Sequence, residues 1–196
     1  MSLSNRDLWA AIAEAGPRAW AQRGSEAVDS DEALREEHGR RRSFIARFGY
    51  AAPTPEAVRA IADFLGECRT LEVCAGLGLW ARLLRGAGAD VLATDANAPG
   101  EGAYVRVEQG DAAEAVAAHS ECDALLLCWP PHRKPAAANA LRAFRGSRVV
   151  AIGDVRFTGD AAYHAALGHN WRLERSLPLP SWPGIEDCAR LYIRKP

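Results

Sequence analysis

The sequence lacks long apolar runs, and neither sign of charge is in excess. No stretch of the 196 residues approaches the roughly 20 apolar residues needed to span a bilayer. Residues 1–7 contain no apolar core of a signal peptide. Lysine plus arginine (24) nearly balances aspartate plus glutamate (25), so no polyanion-binding surface is indicated. We therefore expect a cytoplasmic protein that has neither a membrane nor a nucleic acid as its partner.

Paired cysteines are also missing. The five cysteines are odd in number and include no C-x-x-C pair. Cys74, Cys122 and Cys128 fall on or beside predicted strands, where cysteine commonly packs as a small hydrophobe. Free thiols in a reducing cytosol are the simplest account, and no metal site is predicted. What the chain does have, 48% apolar and 25% charged residues, is ordinary for a single globular domain.

The most informative stretch lies between residues 70 and 95. A short apolar run ends in a turn that contains Gly76 and Gly78, and a helical pattern follows this turn. A second apolar run then ends in a carboxylate, Asp95. The order of strand, tight turn, helix, strand and acid predicts a nucleotide-binding βαβ unit whose acid can hydrogen-bond a ribose.

Two kinds of ligand suit such a unit. Gly76-x-Gly78-x-x-Ala81 fits the dinucleotide fingerprint, which places a pyrophosphate at the N-terminus of the helix. Glu72, four residues before Gly76, would repel a pyrophosphate but would suit a cationic sulfonium. Glu72-x-x-Ala-Gly-x-Gly78 resembles the signature of the class I S-adenosylmethionine-dependent methyltransferases. In that family an acid at the position of Asp95 binds the ribose.

This resemblance covers residues 53–196 and implies both a fold and a cofactor. The implied fold is an α/β domain with a doubly wound, mostly parallel, seven-stranded sheet whose last strand is antiparallel. The implied cofactor is S-adenosylmethionine. An acid after the third strand, here Asp111, is placed to accept from the adenine amine, to cap a helix, or to do both. The cofactor-binding residues that the resemblance implies are Glu72, Ala75, Gly76, Gly78, Asp95, Ala96, Asp111, Ala112, Cys128 and Trp129.

Residues 1–52 are predicted to form a separate α-helical extension, which would act as a lid. Leu8, Trp9 and Ile12 share one helical face. Asp29 or Ser30 would cap a second helix that continues to Phe48. The run of arginines at 40–42 within this helix is either a solvated face or a contact for an anionic ligand group.

Further elements of the core domain follow from local patterns. Thr54 and Pro55 are a good N-cap and first residue for a helix that ends near Leu65. Two late strands joined by a proline-rich loop indicate a hairpin-like pair. The other predicted elements are strands at 104–107, 123–128 and 148–152, and helices at 136–144 and 159–167.

The continuous apolar run at 123–128 predicts a buried central strand, which stops at Trp129-Pro-Pro-His132. Many amine-directed methyltransferases carry Asn/Asp-Pro-Pro-Tyr there, and this sequence departs from that pattern at both ends, so amine recognition is not implied. Trp129 either presents an aromatic face to a sulfonium or a flat acceptor, or forms a wall of the core.

The candidate catalytic residues are His132, Tyr50 and Glu186. By the resemblance, Tyr50 would lie over the cofactor; otherwise it packs a helix against the sheet. His132 is at the edge of the predicted crevice. Glu186 and its neighbour Asp187 are possible bases, although both are expected to be plain acids of a loop.

The leading hypothesis is methyl transfer from S-adenosylmethionine to a small-molecule acceptor, by positioning and desolvation with at most one weak general base. The alternative use of this cofactor is intramolecular cyclisation to a four-membered cyclic amino acid and methylthioadenosine. An NAD(P)-dependent oxidoreductase and a non-catalytic partner protein are the remaining readings. A homodimer is compatible with all of them.

Overall fold

The computed structural model describes residues 4–18 and 31–196. This part of the chain folds into seven helices and seven strands. The elements, in chain order, are α1 (Asn5–Ala15), α2 (Asp31–Phe48), α3 (Pro55–Leu65), β1 (Thr70–Val73), α4 (Leu79–Gly86), β2 (Val91–Asp95), β3 (Val107–Gln109), α5 (Ala112–Ala118), β4 (Ala124–Cys128), α6 (Ala136–Ala143), β5 (Arg148–Gly153), α7 (Ala161–Asn170), β6 (Trp171–Pro178) and β7 (Cys188–Arg194).

All seven strands belong to one sheet with the order β3-β2-β1-β4-β5-β7-β6. Strand β1 pairs in parallel with β2 and β4, and β4 pairs in parallel with β5. The last strand, β7, lies between β5 and β6 and is antiparallel to both. The predicted mostly parallel, seven-stranded sheet with an antiparallel last strand is therefore confirmed.

Helices cover both faces of the sheet, as a doubly wound fold requires. One apolar cluster joins one face to buried residues of α1, α2, α3 and α4, and the other joins the opposite face to those of α5, α6 and α7. The central strand β4 is buried on both faces, because Ala124 through Leu127 have no measurable exposure. Its continuous apolar sequence reflects this double burial.

The N-terminal helices pack onto the core through their apolar faces. Leu8 and Ile12 of α1 and Phe44 and Phe48 of α2 belong to the same apolar cluster as α3 and α4. The predicted capping residues Asp29 and Ser30 lie outside the described residues. The division of the chain between residues 52 and 53 stays a prediction.

Local signals gave the start of α3 correctly but placed the third strand too early. The Thr54 side chain accepts a hydrogen bond from the Ala57 amide at 3.1 Å, as its capping role predicts. Strand β3 begins only at Val107, whereas the alternating pattern predicted a strand from Tyr104. The Tyr104 hydroxyl instead donates to the Arg47 carbonyl at 2.9 Å, so this residue connects the loop before β3 to helix α2.

Three further observations concern membranes, thiols and metals. No helix among residues 4–18 and 31–196 is both long and apolar enough to cross a membrane. All five cysteines lie within these residues, and each is a free thiol. In the same part of the chain, no group of three or more His, Cys, Asp or Glu side chains is arranged to hold a metal ion.

Candidate functional site

A cavity of about 250 Å³ opens at the carboxyl ends of the parallel strands. It lies where β1 and β4 are neighbours, the point at which the strand order reverses and where ligands bind in open α/β sheets. Its walls come from the end of α2, the turn after β1, the start of α4, the end of β2 and the end of β4. The residues that represent these walls are Phe48, Tyr50, Gly76, Asp95, Cys128 and Trp129.

Asp95 fixes the turn after β1 from the neighbouring strand. The Gly76 amide donates to Asp95 Oδ2 at 2.9 Å, and the Asn97 amide donates to Oδ1 at 2.8 Å. Gly76 has φ +53°, and a Cβ added there would meet no heavy atom within 4 Å. The space beside this glycine is therefore open. Each carboxylate oxygen keeps a lone pair for a further donor such as a ribose hydroxyl.

The second glycine of the turn has a different role. Gly78 has φ +71° and immediately precedes α4. A Cβ at this position would lie 2.6 Å from Val105 Cγ2, in the loop between β2 and β3. Gly78 is buried, and it does not line the cavity. It therefore allows the loop before β3 to pack against the start of α4.

Glu72 points to helix α4 and does not line the cavity. It is buried, its Oε2 accepts from the Ala81 amide at 3.0 Å, and its Oε1 has no hydrogen-bond partner. Burial raises the pKa of this carboxyl to about 8, so the group is mostly uncharged at neutral pH. The sequence argument that the charge of Glu72 selects a cationic ligand is therefore not supported. The contact does occupy one amide of the α4 N-terminus, which a pyrophosphate would use.

Trp129 forms the wall of the cavity at the end of β4. Its backbone has φ +47°, which is uncommon for a bulky residue. Its indole Nε1–H donates to Asp187 Oδ1 at 2.7 Å. The Tyr50 ring stacks on the indole with centroids 5.1 Å apart, and the Arg41 guanidinium lies 5.6 Å from the indole centroid. The structure thus brings Tyr50 together with Trp129 at the cavity, and its position over a cofactor stays a prediction.

Asp187 is not a plain loop acid, which corrects the expectation from the sequence. Its exposed fraction is 3%, and burial raises the pKa of its carboxyl to about 7, although the indole hydrogen bond opposes that rise. A loop position next to Glu186 and a proline-rich segment gave no sign of this burial. Glu186, by contrast, is exposed, and its carboxylate is 3.8 Å from the Arg156 guanidinium.

Two arginines of the run in α2, Arg40 and Arg41, have partners within the protein, and Arg42 is exposed. Arg40 donates to Glu37 at 2.8 Å and to the Gly16 carbonyl at 2.9 Å, and its guanidinium lies 5.9 Å from the Trp182 ring centroid. Arg41 lies over Trp129. Neither of the two readings of this run, a solvated face or an anion contact, anticipated these aromatic partners.

Six of the predicted site residues line the cavity and seven do not. Those that line it are Tyr50, Ala75, Gly76, Asp95, Cys128 and Trp129. Those outside the lining are Glu72, Gly78, Ala96, Asp111, Ala112, His132 and Glu186. Asp111 caps α5 by accepting from the Ala113 amide at 2.9 Å, and its role toward adenine stays a prediction. His132 is exposed, although its neighbour Pro131 lines the cavity.

Sequence reasoning missed the cavity residues that come from α2 and from the start of α4. Ile45 and Phe48 of α2 and Leu79 and Trp80 of α4 contribute to the lining. Each of them carries the signal of an ordinary amphipathic helix, because apolar residues three or four apart predict burial but do not say against what. Cys74, with φ +57°, also lines the cavity.

The lining offers little acid–base chemistry. Within the described residues, its ionisable side chains are Asp95, Tyr50, Cys74 and Cys128. Burial raises the pKa of Cys74 to about 12 and that of Cys128 well above its ordinary value, so both thiols are neutral. Asp95 is already engaged with two amides. The arrangement can hold and desolvate ligands, but it places no strong general base at the wall formed by Trp129.

The strand order, the antiparallel β7 and a cavity at the switch point together define the class I methyltransferase fold. No protein-family model matches this chain, and no curated protein sequence matches it. Solved structures do match. It is similar to the mitomycin 7-O-methyltransferase MmcR, at 17% identity over 96% of this chain and 67% of that one, with a TM-score of 0.52.

Two further solved structures are similar to this chain. One is magnesium protoporphyrin IX methyltransferase (ChlM) from Synechocystis PCC 6803 with bound SAM, at 14% identity over 99% of this chain and 93% of that one, with a TM-score of 0.52. The other is TrmN from Thermus thermophilus, at 15% identity over 100% of this chain and 81% of that one, with a TM-score of 0.52. At these identities the comparison confirms the fold that the sequence resemblance predicted.

Proposed function

We propose that this protein transfers a methyl group from S-adenosylmethionine to a small-molecule acceptor. The observation that carries this proposal is the Gly76–Asp95 pair, which faces an open cavity at the switch point of a methyltransferase-type sheet. The bound cofactor would supply a methyl group activated by the sulfonium.

The residues present fit this cofactor. Asp95 is held with free lone pairs at the end of β2, where it can accept from the two ribose hydroxyls. The open space beside Gly76 allows a ligand to approach the backbone closely. Cys128 and Trp129 would border the transferred group. Contributions from Ala96, Asp111 and Ala112 stay predictions, because these residues lie outside the lining.

The chain would accelerate the reaction mainly by positioning and by excluding water. Ile45, Phe48 and Trp129 supply apolar walls, and Tyr50 covers the mouth with an exposed fraction of 47%. Helix α2 would thereby act as the lid of residues 1–52. Because no strong base lines the cavity, the acceptor would be one that needs little help to lose a proton.

The first experiment is calorimetric titration of the wild-type protein with S-adenosylhomocysteine and, separately, with NADH. We expect saturable binding of S-adenosylhomocysteine and none of NADH. The opposite pattern, or no binding of S-adenosylhomocysteine at millimolar concentration, would overturn the proposal.

The second experiment separates methyl transfer from other uses of the same cofactor. The protein is incubated with S-adenosylmethionine, with and without a library of small acceptors, and the products are identified by mass spectrometry. S-Adenosylhomocysteine formed only with an acceptor supports methyl transfer. Methylthioadenosine formed from the cofactor alone would instead identify the intramolecular cyclisation.

A further inference from the structure

The indole of Trp129 is hydrogen-bonded to Asp187, which lies much later in the chain. We propose that Asp187 is a positioning residue, which fixes the indole of Trp129 so that the ring forms a rigid wall of the cavity. The arrangement of the indole stands on the geometry alone. Its effect on turnover rests on the proposed methyl transfer.

The backbone at Trp129 does not by itself determine where the ring lies. Trp129 follows the last residue of β4 and adopts φ +47°, a region in which bulky residues are uncommon. Such conformations persist where the surroundings enforce them, and they cluster at ligand sites. The Nε1–H of Trp129 has one hydrogen bond, the 2.7 Å contact to Asp187 Oδ1, so Asp187 supplies the directional constraint on the ring.

The loop between β6 and β7 is built around Asp187. The Asp187 amide donates to Ser181 Oγ at 2.8 Å, the Ser181 hydroxyl donates to the Leu179 carbonyl at 2.9 Å, and the Leu179 amide donates to the Asp187 carbonyl at 2.9 Å. Asp187 is 3% exposed, and its Oδ2 has no hydrogen-bond partner. Burying a carboxyl that has one oxygen without a hydrogen-bond partner is unfavourable. The buried position is what brings the other oxygen into contact with Trp129.

The surroundings of the indole are shaped for this one orientation. Gly153, at the end of β5, has φ +135°, and a Cβ there would lie 2.7 Å from Thr158 Cγ2 and 3.1 Å from Trp129 Cδ1. Tyr50 stacks on the ring, so rotation of the indole would break both the hydrogen bond and the stack. Asp187 therefore acts on the cavity through Trp129 and Tyr50, without lining it.

The charges that face Asp187 come from three other elements. Asp154, after β5, raises the pKa of Asp187, while Arg41 of α2 and Arg190 of β7 lower it. Asp154 is itself paired with Arg156 at 2.6 Å. Burial has the largest effect and raises the pKa of Asp187 to about 7, so the carboxyl changes its protonation state near neutral pH. Its oxygen can accept from the indole in both protonation states.

The test of the arrangement is NMR of the indole N–H groups in the full chain. The resonance of Trp129 is assigned by its loss in Trp129→Phe. We expect this proton to exchange slowly with water and to shift with pH. In Asp187→Asn the shift with pH should disappear, while the amide oxygen can still accept the hydrogen bond of the indole. In Asp187→Ala that hydrogen bond is lost, so the indole proton should exchange at least about tenfold faster. An indole resonance unchanged in both variants would overturn the proposal.

The test of the role in turnover uses the best acceptor from the library. We expect Asp187→Ala to lower kcat/KM by at least about tenfold and to leave the affinity for S-adenosylhomocysteine within about twofold of wild type. The kcat/KM of Asp187→Asn should lie between those of Asp187→Ala and wild type. The matched control is Asp123→Asn, an acid that binds Ser147 at the opposite end of the strands and should behave as wild type. Equal losses of cofactor affinity and turnover, or a loss in the control as large as in Asp187→Ala, would show a merely structural role. If wild type binds no S-adenosylhomocysteine, the proposed function fails and the NMR result alone decides the arrangement.

Discussion

Gly76 and Asp95 are joined by a 2.9 Å hydrogen bond from the glycine amide to the carboxylate. This bond connects the turn after β1 to the end of β2, and it holds the turn in one shape before any ligand arrives. Since Asp95 also accepts from the Asn97 amide, its side chain is fixed at both oxygens. The two residues thus form a preorganised edge of the cavity.

Asp95→Ala should weaken binding of S-adenosylhomocysteine by about ten- to a hundredfold. The variant loses charge-assisted hydrogen bonding to the ligand, worth on the order of 1.5–3 kcal/mol in total, and it also releases the Gly76 turn. The measurement is the dissociation constant by calorimetry. Asp90→Ala is the matched control, because Asp90 is an exposed acid just before the other end of β2 and should leave the affinity unchanged. Equal affinity in both variants would remove Asp95 from the cofactor site.

Glu72→Gln should flatten the pH dependence of stability. The pKa of Glu72 is raised in the fold to about 8 from an ordinary 4.5, so the folded state holds a proton that the unfolded chain releases. Wild type should therefore lose stability relative to the variant as the pH rises from about 5 to about 8. The loss should amount to a few kcal/mol, since one pKa unit corresponds to about 1.4 kcal/mol.

Urea denaturation of both proteins at several pH values measures this difference. The amide oxygen of the glutamine can still accept from Ala81, so the helix contact is retained. Glu56→Gln, on the exposed surface of α3, supplies a control that should show no such trend. A constant difference between wild type and Glu72→Gln at every pH would contradict the buried, neutral carboxyl.

Gly78→Ala should destabilise the fold by about 1–3 kcal/mol through strain and overpacking. The new Cβ would lie 2.6 Å from Val105 Cγ2 on a backbone with φ +71°. Gly88→Ala separates the two causes, because Gly88 has φ +97° but no atom within 4 Å of the added Cβ. The free energy of unfolding from urea titrations should fall more for Gly78→Ala. Partial recovery in Gly78→Ala/Val105→Ala is also expected, and its absence would argue against the contact with Val105.

Tyr50→Ala should raise KM for the acceptor by about three- to tenfold, because the ring lines the cavity and an aromatic contact with a bound acceptor would be worth about 0.5–1.5 kcal/mol. Tyr50→Phe keeps the stack on Trp129 and should stay close to wild type. Steady-state kinetics on both variants distinguishes a wall from a catalytic hydroxyl. A large fall of kcat in Tyr50→Phe would assign the hydroxyl a direct role in the reaction.

The parts of the site that the sequence predicted are those in which a signal and its partner are close along the chain. The turn at Gly76 follows a strand of only four residues, and Asp95 ends the very next strand. The stop of β4 before Pro130 follows from the missing donor of proline. These features depend on backbone chemistry and on parallel pairing, both of which leave a local pattern.

The other features of the site depend on tertiary contacts, which no local sequence pattern indicates. Whether Glu72 faces the cavity or α4 is a matter of one side-chain direction within a buried strand. In the sequence Asp187 is an acid of a loop, and only the fold brings it to Trp129. Arg41 is likewise one of three similar arginines in the sequence, and only the packing of α2 places it over Trp129. Tertiary packing selected one partner for each of these groups from many that the sequence allowed.

The hydrogen bond between Trp129 and Asp187 affects the order in which the two sides of the cavity are completed during synthesis. The Gly76–Asp95 edge needs only strands that emerge early from the ribosome. The indole, in contrast, cannot be held by Asp187 until the segment that carries Asp187 has been translated and β7 has paired between β5 and β6. The Gly76–Asp95 edge of the cavity can therefore be complete in the nascent chain before its Trp129 wall is held in place.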